Sequence, residues 1–155
     1  MWLLDSRSPN RTNADRTDAI LRAVERAFDL ECWRWSRDPD ATAWLLVYEG
    51  EHDDLTCRVT LAGGELTLCA SAHVRLAPPT PLLTALQRHE AGIGFVWDAR
   101  LRALTTHLSL PASTEPSRLL AELHRCARAL DVALPAARDA ASRPPLRLAA
   151  AFLRS

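Results

Sequence analysis

The sequence predicts an α+β fold, an antiparallel β-sheet flanked by helices in the order α-β-β-β-β-α-β-β-α. Three observations carry the prediction. Apolar residues alternate strictly with polar ones through Leu55, Cys57, Val59 and Leu61 and again through Leu66, Leu68, Ala70, Ala72 and Val74, which is the period of strands with one buried face. Gly63-Gly64 separates the two runs and supplies the positive-φ turn of a hairpin. The period then becomes helical over 81–90, returns to strand over 93–97 and 104–110, and becomes helical again after Pro111.

Each element has its own reason. Met1 to Leu4 are briefly apolar, residues 5–16 are polar and contain Pro9, and 1–14 read as a flexible lead-in. The first helix is predicted over 13–30: Thr12 with Asp15 three residues on resembles a capping box, and Ile20, Val24 and Phe28 recur at four-residue spacing beside Leu21. A first strand over 32–37 puts Trp33 and Trp35 on one face, and Asp38-Pro39-Asp40 supplies a turn. The second strand, 43–49, is apolar on both faces (Trp44, Leu46 and Tyr48 against Leu45 and Val47), as a central strand or one beside a partner would be. The alternating pair follows over 55–61 and 66–76, stopped by Pro78, Pro79 and Pro81, which lead into a second helix carrying Leu82, Leu83 and Leu86. Gly92 and Gly94 suit a helix end followed by close backbone approach. The last hairpin precedes a third helix from near Pro116 with Leu119, Leu120, Leu123, Cys126, Ala127 and Leu130 on its stripe, and Pro135 is expected to end or kink it. Residues 142–145 read as a linker to an apolar tail, 146–153, expected to dock as a helix. The domain therefore spans 15–138, with 139–155 as linker and tail.

A chain of 155 residues with 48% hydrophobic content is of single-domain size and needs no metal or disulfide to hold a core. The 19 basic and 19 acidic groups cancel, and all the basic groups are Arg. We read the absence of Lys, with the excess of Ala and Leu, as coding bias. A neutral surface has no strong pull on polyphosphate or an anionic membrane, and it mildly favours self-association. No signal-peptide pattern and no apolar run of about 20 residues appears, so a cytoplasmic location without membrane insertion is expected. Cys32, Cys57, Cys69 and Cys126 are scattered over different elements and are expected to be reduced core or near-core thiols.

Signatures of chemistry are missing. Cys69 and His73 share a strand face but stand about 13 Å apart at strand rise, too far for one ion, and His124 and Cys126 point to nearly opposite sides of a helix. Ser71 and His73 lie about 6.6 Å apart and make no nucleophilic pair. The glycine pairs lack phosphate-loop spacing, and the acids at 38, 40, 51, 53 and 54 fall in turns. Neither a catalytic nor a metal site can be named, and no cofactor is implied. Direct nucleic-acid binding is disfavoured because the Arg residues are dispersed among acids. Trp33 and Trp35 alternate with Arg34 and Arg37 and form a candidate partner-binding surface.

The element order, and above all the stretch from the second helix through GIGFVWDARLRALTTHLSLP to PSRLLAELHRCARAL, resembles the YbjN family and the related class I type III secretion chaperone fold over about residues 15–138. The resemblance implies a non-enzymatic, chaperone-like adaptor, usually a homodimer, that binds a segment of another protein along exposed apolar sheet and helix surfaces. Trp33, Trp35, Trp44 and Tyr48 are then the expected partner-binding residues, and Leu82, Leu86, Phe95 and Trp97 the expected dimer interface. Secretion chaperones are typically acidic whereas this chain is neutral, which favours the YbjN-like branch. The alternative is an accessory protein that contacts single-stranded nucleic acid directly.

Overall fold

The structure, a computed structural model, describes residues 9–39 and 42–142, with side chains described for 14–39 and 42–140. Six strands form one antiparallel sheet: β1 (Trp35–Asp38), β2 (Ala43–Glu49), β3 (Asp54–Ala62), β4 (Glu65–His73), β5 (Gly94–Asp98) and β6 (Ala103–Pro111). Three helices accompany it, α1 (Pro9–Leu30), α2 (Thr80–His89) and α3 (Pro116–Ser142). The strand order is β1-β2-β3-β4-β6-β5. After β4 the chain runs through α2 to the far edge, and the β5–β6 hairpin brings it back beside β4, so β1 and β5 are the sheet's edges.

Register explains the core. Leu46, Cys57, Ala70, Thr106 and Phe95 face one another across five strands, and Trp44, Val59 and Leu68 form the next row. All eight are buried on one side of the sheet. Burial alternates along β3 and β4 as the two-residue period requires. Against this side lie α3, over β4 and β6, and α1 beside it, contributing Leu21, Val24, Ala27 and Phe28. The Phe28 ring meets Trp44 edge-on at 6.0 Å. The hydroxyl of Thr106, a polar group inside this core, donates to the Cys126 carbonyl of α3 at 2.9 Å and so avoids the cost of an unpaired buried donor.

Turn chemistry follows the expected residues. Gly63 and Gly64 take φ of 57° and 75° in the two-residue loop between Ala62 and Glu65. Four expectations at element ends are corrected. The first helix begins at Pro9, so Thr12 lies inside it and does not cap it, and Pro9 suits a first helical turn because its missing N–H has no partner there. β1 starts at Trp35 and leaves Trp33 outside any strand, because Cys32 at φ 58° turns the chain between helix and sheet. β4 ends at His73, where Val74 donates its N–H to the Arg102 carbonyl in the neighbouring turn. The third helix runs through Pro135 to Ser142, so residues 139–142 are helix and not linker. Pro135 itself is exposed, while buried Ala133, Leu134 and Ala137 hold the helix on the core. The predicted tail, 146–153, lies outside the described residues. Among the described residues no helix is long and apolar enough to cross a membrane.

Candidate partner-binding surface

The second side of the sheet carries Leu45 and Val47 from β2, Thr56 and Arg58 from β3, Thr67, Cys69 and Ser71 from β4, Thr105, His107 and Ser109 from β6, and Val96 from β5. No described helix lies over it. Val47 and Val96 are about half exposed, at 50% and 49%, at either end of one cross-sheet row that runs through Thr56, Ser71 and Thr105. The Ser71 and Thr105 hydroxyls hydrogen-bond at 3.0 Å. In the next row the His107 ring lies where a side chain at Gly94 would be, so glycine at 94 lets the imidazole lie flat against the strand. Arg58 and His107 lie towards the middle of the face, and strand alternation puts Asp38, Glu49, Asp54, Glu65 and Asp98 at its margins. Arg58 reaches Asp38 on β1 at 3.8 Å.

The four residues expected at the partner surface separate. Trp44 is in the core, 0% exposed, with its indole N–H donating to Glu25 at 3.1 Å, so it offers a partner nothing. The same Glu25 oxygen accepts from Arg37 at 2.8 Å, which ties α1 to β1 as well as β2. Trp35 is half-buried against Phe28, and its N–H donates to Asp29 at 2.8 Å. Trp33 and Tyr48 come together at a corner of the molecule, ring centroids 6.0 Å apart, and Tyr48 in turn meets His124 of α3 at 5.4 Å. Burial, and after it the Asp131 carboxylate, holds the Tyr48 phenol above its ordinary pKa. A cleft of about 490 Å³ opens at this corner, lined by Glu31, Trp33, Arg34, Tyr48, Glu49 and Asp54.

The expected dimer residues occupy the opposite edge. Phe95 is buried at 2% exposure beneath the sheet, whereas Leu82, Leu86 and Trp97 are half-buried and pack on the core from its margin. Trp97 donates its indole N–H to the Val74 carbonyl at 3.1 Å, and Gln87 of α2 donates to the Phe95 carbonyl at 2.9 Å. Between α2, β5 and α3 lies a mainly apolar groove of about 450 Å³, lined by Leu86, Phe95, Val132, Ala133 and Ala136. Arg125 closes one end, bonded to Glu122 and to the Ala91 carbonyl.

Among the described residues no three His, Cys, Asp or Glu side chains are grouped to hold a metal ion. Cys57 and Cys126 are buried, and burial pushes both thiols up to about 12. Cys69 is half-buried, with its thiol also raised by burial. Cys32 departs from the expectation of a core or near-core thiol, because its positive-φ position at the end of α1 leaves it exposed. One buried acid, Asp131 of α3, was not anticipated. It is 4% exposed and accepts the backbone N–H groups of Glu51 and His52 at 2.9 and 3.1 Å, fastening the β2–β3 turn to α3.

The fold is shared with solved structures. Over 83% of this chain and 98% of theirs, the chain superposes on the ExsC–ExsE complex with a TM-score of 0.59 at 17% identity. The HopA1–SchA chaperone–effector complex matches 81% of this chain and 94% of its own at a TM-score of 0.53 and 16% identity. YbjN from E. coli, described as a candidate transcription regulator, matches 68% and 82% at 0.52 and 17%. This is a YbjN-like, secretion-chaperone-like fold. No protein-family model and no curated protein sequence matches the chain. Two of the three neighbours were solved as complexes, and in one of them the pair is a chaperone with its effector.

Proposed function

We propose that this protein is a non-enzymatic, chaperone-like adaptor of the cytoplasm that binds a segment of a partner protein, and that it does so as a homodimer. The observation that carries the reading is the face of the sheet that no described helix covers, with Leu45, Val47 and Val96 exposed on strands whose other side faces the core. An extended segment can lie across such a face or add to an edge strand, gaining main-chain hydrogen bonds from the edge and specificity from alternate side chains. At the corner beside β2, Trp33 and Tyr48 provide large, rigid contact area at low entropic cost. Leu82, Leu86 and Trp97, around the groove between α2 and α3, supply the dimer contact. The complexes formed by ExsC and SchA support the partner-binding part of this reading.

The test pairs capture with stability. Tagged wild type, Trp33→Asp and Val47→Asp are used for affinity capture from the native host, and each is unfolded in urea. The expected result is a captured protein lost with both variants at an unchanged urea midpoint. Retention of the same protein by both variants overturns the reading, and a large midpoint drop in Trp33→Asp assigns that ring to the core. Light scattering should give twice 17.2 kDa for wild type and the monomer mass for Leu86→Arg. Tight binding of a labelled single-stranded oligonucleotide that weakens steeply with salt would replace this reading with direct nucleic-acid contact.

A further inference from the structure

We propose that the cleft beside Trp33 and Tyr48 receives a cationic side chain, a guanidinium or an ammonium, from the partner segment. The inference rests on the partner-binding reading above and names the chemistry of the group bound at one corner of that surface. Three carboxylates, Glu31, Glu49 and Asp54, line the cleft together with the two rings, and Arg34 is the one cation in its lining. The lining therefore carries two net negative charges in a chain whose formal net charge is zero.

What marks this corner is that three acids share one concave lining with a single Arg. Arg37, Arg125 and Arg138 reach acids elsewhere, Arg37 to Glu25, Arg125 to Glu122 at 2.8 Å and Arg138 to Asp53 at 2.6 Å. Among the described residues Arg34 forms no such pair, and Glu31, Glu49 and Asp54 have no ion-pair partner within 4.0 Å. Unmatched carboxylates around a concave site attract a cation. Aromatic faces stabilise the same charge through their quadrupoles while packing on its aliphatic stem. A neutral apolar side chain would gain the ring contact and lose the charge term, and an anionic one would be repelled. The Val47 side chain on the lip of the cleft joins it to the uncovered sheet face, so a segment lying along that face can turn one basic side chain into the corner.

The test uses the full chain and three short blocked peptides that differ at one central residue: arginine, its neutral isostere citrulline, and leucine. Binding is read from the indole N–H resonance of Trp33, assigned by its disappearance in Trp33→Phe. The arginine peptide should shift that resonance and bind at least about tenfold more tightly than the citrulline peptide. Its affinity should fall as salt is raised from about 0.03 to about 0.3 M. Glu31→Gln with Glu49→Gln should weaken the arginine peptide at least about threefold while leaving the urea midpoint in place. Equal binding of the arginine and citrulline peptides, or no Trp33 shift with arginine, overturns the proposal. If the leucine peptide binds at Trp33 as well as the arginine peptide does, cation selectivity fails while partner docking stands. If no peptide moves Trp33 and Trp33→Asp leaves partner capture intact, both fail together.

Discussion

Replacing Asp131 with Ala removes the acceptor that α3 offers to the β2–β3 turn, and the size of the loss follows from the geometry. The carboxylate is 4% exposed and takes N–H groups from Glu51 and His52 at 2.9 and 3.1 Å, bonds that span 80 and 79 residues of sequence. Hydrogen bonds to a charged group contribute about 1.5–3 kcal/mol each. The donors sit in an exposed turn where water replaces part of what is lost, so the expected cost is about 2–4 kcal/mol, a sizeable share of a typical total stability of about 5–15 kcal/mol. Asp131→Asn keeps an acceptor oxygen and should cost about half as much. The neighbouring glycine supplies a second reading of the same joint. A Cβ at Gly50 would run into the Asp131 carboxylate and the Asp53 carbonyl, so Gly50→Ala should cost about 1–3 kcal/mol, and less in the Asp131→Ala background, with the Asp53 clash remaining. Urea unfolding of the four proteins of this cycle and of Asp131→Asn provides the numbers. A loss below about 0.5 kcal/mol for Asp131→Ala, or strict additivity of the two alanine changes, would refute the idea that Asp131 clamps this turn.

The remaining predictions concern thiols and acid. In the native protein at pH 8, iodoacetamide should label exposed Cys32 first and half-buried Cys69 slowly, and Cys57 and Cys126 only on unfolding, because thiols raised to about 12 carry roughly one part in ten thousand of thiolate. Rapid native labelling of a second pair of thiols would contradict the described core. The Arg138 guanidinium and, after it, the Asp54 N–H hold Asp53 below the ordinary carboxylate range. A carboxylate whose folded pKa is depressed stabilises the fold above its unfolded pKa and loses that contribution as pH falls through the folded value. Arg138→Gln should therefore flatten the decline of the urea midpoint between about pH 5 and pH 2, and an unchanged acid slope would show that the pair does not contribute.

The sheet was readable because burial on one face writes a two-residue period directly into the residues of β3 and β4, and because Gly63-Gly64 has the φ values that a two-residue hairpin needs. Helix ends were less readable. Nothing local distinguishes Thr12 as a cap from Thr12 inside a helix begun by Pro9, and Pro135 breaks a helix only when packing on either side is too weak to continue it. Trp33 and Trp35 alternate as strand residues do, but the left-handed backbone at Cys32 turns Trp33 out of the strand and against Tyr48. That pairing across the β1–β2 edge was not visible in sequence. Asp131 left a trace, since it is four residues after Ala127 and three before Leu134, both buried, which places a carboxylate on the apolar stripe of α3. Its partners lie too far along the chain to be named from that trace. The same distance hid the gathering of Glu31, Glu49 and Asp54 around one cleft, each of which reads alone as an ordinary turn or edge acid.

Site-specific photo-crosslinking from the uncovered face probes the adaptor reading most directly. A benzophenone amino acid is placed at Val47 or Val96 on the open side of the sheet, and at exposed Arg118 on α3 as the control, and irradiated in the native host. The account predicts one discrete heterologous adduct from positions 47 and 96 and none from 118. Adducts from 118 alone, or the same adduct pattern from all three positions, would contradict it.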